Sequence, residues 1–314
     1  MDIRDTYEEQ LLAYWKKVVS KDLRFDETDL MNHLGGLYHY TNSAGLLGIL
    51  SSNKFWATES EFLNDSREVK HGLELAETIV NELHTEVQCA FSQSILNETK
   101  EEIYKYNGEI YIACFSEEGD LLSQWKGYGD YGKGYAIKLD HHQLFRQKRK
   151  FPFVKIEIKK VVYEEVEQVE LIRSQLQWIL ECTKSTRDES PELEELLIGY
   201  AARWAANVLR NMACRFKDRA FSEEKEWRAI YSNQDKSEEG PQPIQFRLGD
   251  GGVIPYMELD ICPSAQRTEW HLPISEVVIG AKNNFELAEK TIMLLCKRSN
   301  IPKPIISRSK IPLR

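Results

Sequence analysis

The chain has 314 residues, 42% hydrophobic and 29% charged, a balance that excludes a disordered chain. Its formal net charge is -9, which excludes broad coating of nucleic acid, because such a surface repels a polyanion on average. The cysteines (Cys89, Cys114, Cys182, Cys214, Cys262 and Cys296) are scattered without a CxxC pair, so they read as free thiols of a reducing compartment rather than a disulfide framework.

The first residues, Met1-Asp2-Ile3-Arg4-Asp5, are polar and resemble no signal peptide. No stretch is long and apolar enough to span a bilayer, so the expected address is the cytoplasm, without a membrane partner. Tyr7, Leu11, Trp15 and Val18 share helical spacing and predict an amphipathic helix over 7–19 within an N-terminal helical segment, 1–36. Leu37 to Tyr40 reads as a strand, Ser43 as the cap of a short helix to Leu50, and Lys54 to Ala57 as a returning strand. Residues 66–98 read as helical. Tyr111 to Phe115 is a continuous apolar run suited to a central strand.

Asp120 is the expected cap of a helix carrying Leu121, Leu122, Trp125 and Tyr128. Tyr135, Ile137 and Leu139 alternate as a strand, and so do Val154, Ile156 and Ile158. Residues 164–182 and 192–215 read as two longer helices separated by Ser185 to Pro191, and 164–215 as a helical insert. Glu226 to Tyr231, Ile244 to Leu248, Val253 to Leu259 and Val277 to Ile279 read as strands. Asp235 to Pro243 reads as a loop, and Gly249 to Gly252 as a turn. Pro255 places its strand at an edge, and residues 284–299 form a last helix. Strands and helices do not alternate regularly, which predicts one α+β domain over 1–314.

Several motifs match only as text. Gly127, Gly129 and Gly132 have GxGxxG spacing, but the run follows a helix and precedes a strand, the reverse of a dinucleotide fingerprint. The histidines show no metal-ligand spacing, and no metal is expected. Asp140 with Glu157 and Lys159 could hold a divalent metal and activate water, though the exposed face of a strand explains the pattern as well. The basic run Arg146, Lys148, Arg149 and Lys150 reads as a solvated connector.

Three segments carry more. In Tyr38-His39-Tyr40-Thr41, alternation puts the tyrosines on one face and His39 on the other, where it is either a ligand donor or a satisfied structural histidine. Phe115-Ser116-Glu117 precedes Trp125, Tyr128 and Tyr131. Trp125 fits a core stripe with Leu121 and Leu122, whereas Tyr131 sits in the glycine turn and is the better ligand contact. In Glu224-Lys225-Glu226-Trp227-Arg228, a strand would place Glu224, Glu226 and Arg228 on one face and Lys225 and Trp227 on the other. Two carboxylates so close need a cation, and Arg228 or a hydroxylated or cationic ligand could supply the partner.

These segments, with Phe62-Leu63-Asn64-Asp65 and Glu68, Ala113 to Glu117, Gly132-Lys133-Gly134, Val278-Ile279-Gly280 and Ser309 to Pro312, resemble a bacterial family of unknown function, DUF2971, over residues 37 to 314. A weaker resemblance is to the ADP-ribosyltransferase superfamily: a strand with a His, a short helix, a strand with an aromatic or Ser, and a late Glu. That resemblance implies a split, mainly antiparallel sheet flanked by helices around an NAD cleft, with NAD as co-substrate and a nucleic-acid or protein acceptor. It implies that His39, with Tyr40 and Thr41, holds the ribose or phosphate of NAD. Phe115, Ser116, Trp125 and Tyr131 would line the nicotinamide pocket. Glu226 would stabilise the charge growing at the anomeric carbon, with Glu224 activating the acceptor and Asn64, Asp65 and Arg228 contacting substrate. A role as toxin or phage-defence effector is what the superfamily resemblance suggests. NAD hydrolysis, a protein-binding module that uses the same cleft or the surface of 164–215, and a metal-dependent nuclease are the alternatives.

Overall fold

The structure is a computed structural model. It describes residues 33, 35–63, 66–105, 110–140, 157–232, 243–249, 252–259 and 271–313. The chain divides into Met1–Leu34 and Gly35–Arg314, and the described strands and helices all belong to the second unit. The expected helix over 7–19, the basic run at 146–150, the strand residues Val154 and Ile156, and Asn64 and Asp65 lie outside the described residues.

Strand β1, Leu37–Thr41, leads into helix α1, Ser43–Ser52. The cap of α1 is Asn42, not Ser43: the Asn42 side chain accepts from the Gly45 N–H at 2.9 Å, and Ser43 is the first helical residue. Asn53 ends the helix in the left-handed conformation, φ 59°, and β2, Phe55–Glu59, returns. The stretch expected to be one helical region is two helices, α2, Ser66–Glu86, and α3, Ala90–Ile103. Then come β3, Ile110–Ser116, a short helix α4, Leu122–Gly127, β4, Tyr135–Leu139, and β5, Glu157–Lys160.

Helix α5 spans Glu165–Glu189 and α6 spans Glu194–Ala213. The expected polar break at Ser185 is instead helical. Only Ser190 and a 3-10 turn, Pro191–Leu193, separate the two helices, because polar residues on an exposed face do not stop a helix but the proline does. Helices α2, α3, α5 and α6 pack on one another as a layer, so residues 164–215 complete a helical cluster begun at 66–103 rather than standing apart. The remaining elements are β6, Glu226–Ser232, β7, Gln245–Gly249, β8, Gly252–Leu259, β9, Ile274–Ile279, α7, Phe285–Arg298, and β10, Ile305–Arg308.

The fold is α+β. The strands form one open sheet in the order β10-β9-β4-β1-β3-β2-β8-β7, with β6 and then β5 attached to β3. Among the described pairs of named strands, β9 with β10 is the parallel one. The sheet splits at β3. One edge of β3 pairs along its length with β6. The remaining edge pairs with β2 at Tyr111 and Ile112 and with β1 at Ser116. Two strands therefore diverge from one edge of β3.

Among the described residues, no helix is long and apolar enough to cross a membrane.

Candidate functional site

The registers bring the three informative sequence segments together. Tyr38 pairs with Ser116, and Ser116 pairs with Glu226, so three residues far apart in sequence form one row across β1, β3 and β6. Residues in register across a sheet share a face. The row continues through Lys138 of β4 to Glu276 of β9. There the Tyr38 hydroxyl donates to Glu276 at 3.2 Å, and burial with that carboxylate raises the phenol to about 12.

A buried ionic cluster surrounds the Glu226 end of this row. The loop after α6 delivers Lys217, whose ammonium lies 2.7 Å from Glu224 Oε2, 3.0 Å from Glu226 Oε2 and 3.5 Å from Glu68 Oε1. The Arg228 guanidinium donates to Glu226 Oε1 at 2.7 Å, to Glu68 Oε2 at 2.6 Å and to the Cys214 carbonyl at 2.8 Å. Glu68 comes from the first turn of α2. Its Oε1 is buried and, although within ionic reach of Lys217, receives no hydrogen bond from the described residues.

Burial alone would push the Glu226 carboxyl up. Arg228 and Lys217 outweigh it and settle the group at about 2, so it is ionised at any ordinary pH. Burial opposes the charge on Lys217 as well, yet the three carboxylates hold its pKa above the usual lysine value. Burial raises Glu68 against the pull of Arg228. Two tyrosines border the cluster. Tyr163 accepts the Glu226 backbone N–H at 2.8 Å, and Tyr128 lies near enough to feel Lys217, Cys114, Glu224 and Glu226. Burial raises both phenols, which stay protonated.

Glu226 and Arg228 share a face as the alternation predicts. Glu224 does not belong to the strand. It ends a 3-10 turn, Arg219–Glu224, and Lys225 follows in the left-handed conformation at φ 45°, which breaks the alternation. Glu224 nevertheless reaches Lys217, and the Ser116 hydroxyl holds it there by donating to the Glu224 carbonyl at 2.7 Å. Ser116 also accepts the Glu118 N–H, so its hydroxyl positions this turn.

His39 is not brought to Glu226. It alternates with Tyr38, and Tyr38 shares the Glu226 face through Ser116, so His39 lies on the opposite face. It packs edge-on to Phe55 and beside Phe115, with centroids 5.4 and 5.6 Å away. Its Nδ1–H donates to the Cys114 carbonyl at 2.9 Å, and burial lowers its pKa, so the ring is neutral. Phe115 is buried against Phe55.

Tyr40 spends its hydroxyl on the loop after β3, donating to the Glu118 carbonyl and accepting from the Leu121 N–H. Trp125 is fully buried, and its indole N–H donates to Asp120 at 2.7 Å, so it is core. That bond also explains why Asp120 is not the expected cap of α4: its carboxylate holds Trp125, Ser309 and the Lys310 N–H instead. Tyr131 is 65% exposed. The glycine-rich run follows α4 and precedes β4, in the reversed order that its sequence indicates. Asp130, Tyr131 and Gly132 are all left-handed, at φ 47°, 49° and 84°. A Cβ at Gly134 would meet the Thr41 carbonyl, so the turn presses directly on the half-buried end of β1.

The nuclease triad does not assemble. Lys159 of β5 is buried in register with Arg228 of β6, whereas Asp140 follows the end of β4, with β6, β3 and β1 between β5 and β4, roughly 19 Å at ordinary strand spacing. Among the described residues, no group of three or more His, Cys, Asp or Glu side chains is placed to hold a metal ion. Among the large hydrophobic side chains of α5 and α6, only Val166 is exposed, while Phe246, Leu248 and Val253 are exposed on the β7–β8 hairpin.

Sequence reasoning missed Lys217 and Tyr163, and placed Glu68 only within a family resemblance. Lys217 stands in a short loop with no periodicity to mark it. Its one signal is chemical: the nearby Glu224 and Glu226 need a cation.

The family described as "Protein of unknown function (DUF2971)" matches residues 124–229. The match runs from α4 through α5 and α6 to β6, so these helices belong to the matched region, together with Lys217, Glu224, Glu226 and Arg228. No curated protein matches the chain, and no solved structure does.

Proposed function

We propose that the chain cleaves the nicotinamide–ribose bond of NAD and transfers the ADP-ribosyl group to a macromolecular acceptor. The observation that supports this reading is the row Tyr38–Ser116–Glu226 at the split in the sheet, ending on a carboxylate that is buried and yet ionised. In such a reaction the C1′–N bond breaks and its electron pair leaves with nicotinamide. Positive charge grows on the ribose, and a nucleophile of the acceptor bonds to C1′ and gives up its proton.

A carboxylate already fixed in place stabilises that charge without reorganising. Lys217 and Arg228 fix Glu226 in this way, at 3.0 and 2.7 Å. Glu224, held on the same ammonium, is the group to take the acceptor's proton. Tyr128 borders the same cluster and is the aromatic contact for nicotinamide, with Tyr131, exposed in the turn that follows, as a second candidate. His39 supports the site indirectly, tying β1 to β3 through the Cys114 carbonyl.

The test is nicotinamide release from NAD by the purified full chain and by Glu226→Gln, with nucleic acid and cell extract offered as acceptors. Release that falls at least about a hundredfold in the variant supports the reading. Folded wild-type protein that releases no nicotinamide with any acceptor overturns it.

A further inference from the structure

Away from Glu226, the strands β2, β8 and β7 carry a second group of side chains with an unmet need. Thr58 pairs with Tyr256 and Arg247 pairs with Ile254, so Trp56, Thr58, Tyr256 and Arg247 share one face of these three strands. The Arg247 guanidinium donates from Nη2 to the Thr58 hydroxyl at 3.0 Å. Its Nε is buried with no hydrogen-bond partner among the described residues. The Trp56 indole N–H, on a ring 4.6 Å from that of Tyr256, is likewise buried and unpartnered.

Among the described residues, no carboxylate is ion-paired with Arg247. Glu258, the acidic residue on β8, is paired with Lys54 at 3.6 Å. Burial lowers the Arg247 pKa, and only Tyr256 offsets it. Guanidinium groups are almost always paired when removed from water, and an unmade charged hydrogen bond is costly. In a chain of net charge -9, a half-buried arginine that no described carboxylate pairs with stands out.

We infer that Arg247, Trp56 and Thr58 form a subsite for the phosphate of a small organic phosphate. Two N–H donors without acceptors and a hydroxyl already oriented by the guanidinium match the oxygens of a phosphoryl group. Arg247 and Trp56 are each partly exposed, and Arg247 lies on the outermost described strand of the sheet, so a rotamer change presents the guanidinium to an entering ligand. The subsite is built on other strands than the one that carries Glu226, and its test does not depend on NAD turnover.

Calorimetric titration of the full chain with ADP, and separately with inorganic phosphate, tests this. ADP is expected to bind, and Arg247→Gln to weaken it ten- to a hundredfold, about the loss of one charge-assisted hydrogen bond. Trp56→Phe, which keeps a ring and removes the donor, is expected to weaken it severalfold. Competition by inorganic phosphate would assign recognition to the phosphoryl group. ADP binding that phosphate does not disturb would overturn the assignment, as would equal affinity in wild type and Arg247→Gln. Should Arg247→Gln not fold, Trp56→Phe and the shift of the wild-type melting temperature with ADP carry the decision, and no shift overturns the proposal. Glu226→Gln is expected to bind ADP normally, so loss of nicotinamide release and loss of this subsite are separate outcomes.

Discussion

Lys217 Nζ stands 3.0 Å from Glu226 Oε2, with 2% and 6% of the two side chains exposed. A pair so removed from water is held together because each charge would be stranded without its partner. It is also the junction of the molecule, since Lys217 leaves the helical layer and Glu226 opens β6.

Replacing Lys217 by Met leaves Glu226, Glu224 and Glu68 with Arg228 as the remaining partner described for the cluster. The expected cost is about 3–5 kcal/mol of unfolding free energy, the usual consequence of breaking a buried pair from one side. Adding Glu226→Gln to Lys217→Met is expected to return part of that loss. Urea denaturation of the two single variants and the double variant measures the coupling, and additive losses would show that the two residues do not act together.

Stability is expected to fall in acid because of Glu226. Its carboxyl lies at about 2 in the folded chain against an ordinary 4.5. A carboxyl depressed by folding contributes stability that is complete above its unfolded value and is lost as pH falls through the folded one. The contribution is about 3 kcal/mol at neutral pH and disappears between roughly pH 5 and pH 2. Glu226→Gln is expected to flatten that part of the stability profile, and a variant profile parallel to wild type would refute the assignment.

Tyr131 is strained and exposed together, at φ 49° with 65% of its surface open. Left-handed backbone costs a side-chain residue about 1–2 kcal/mol that glycine does not bear. Tyr131→Gly is therefore expected to be neutral to about 1 kcal/mol more stable, because glycine's greater unfolded-state freedom offsets part of the relief. If Tyr131 contacts the substrate, the same variant raises KM for NAD with little change in stability. A melting curve and a KM measurement on one preparation separate the two effects.

The central strands were legible because their side chains announce burial by pattern: the apolar run of β3 and the alternation of β4 need no distant information. The shared face of Glu226 and Arg228 followed from period two alone. Glu224 was misplaced because one left-handed residue, Lys225, resets the count, and nothing about a lysine advertises that conformation. Ser185 carries no reliable sign of a break, because polar composition marks an exposed helix face as readily as a loop. Motif order does not say which face His39 occupies, because strand register decides it. Lys217 and Glu68 were beyond local reading, since their significance arises only when α2, the loop after α6 and β6 meet.

The bond between Glu68 and Arg228 joins positions 160 residues apart. A contact of that span closes only after the intervening helices have formed and docked. During synthesis, the ribosome must therefore deliver β6 before the carboxylates acquire both cations. A chain halted within α6 has neither Lys217 nor Arg228, so the ionic cluster cannot close until synthesis has passed β6.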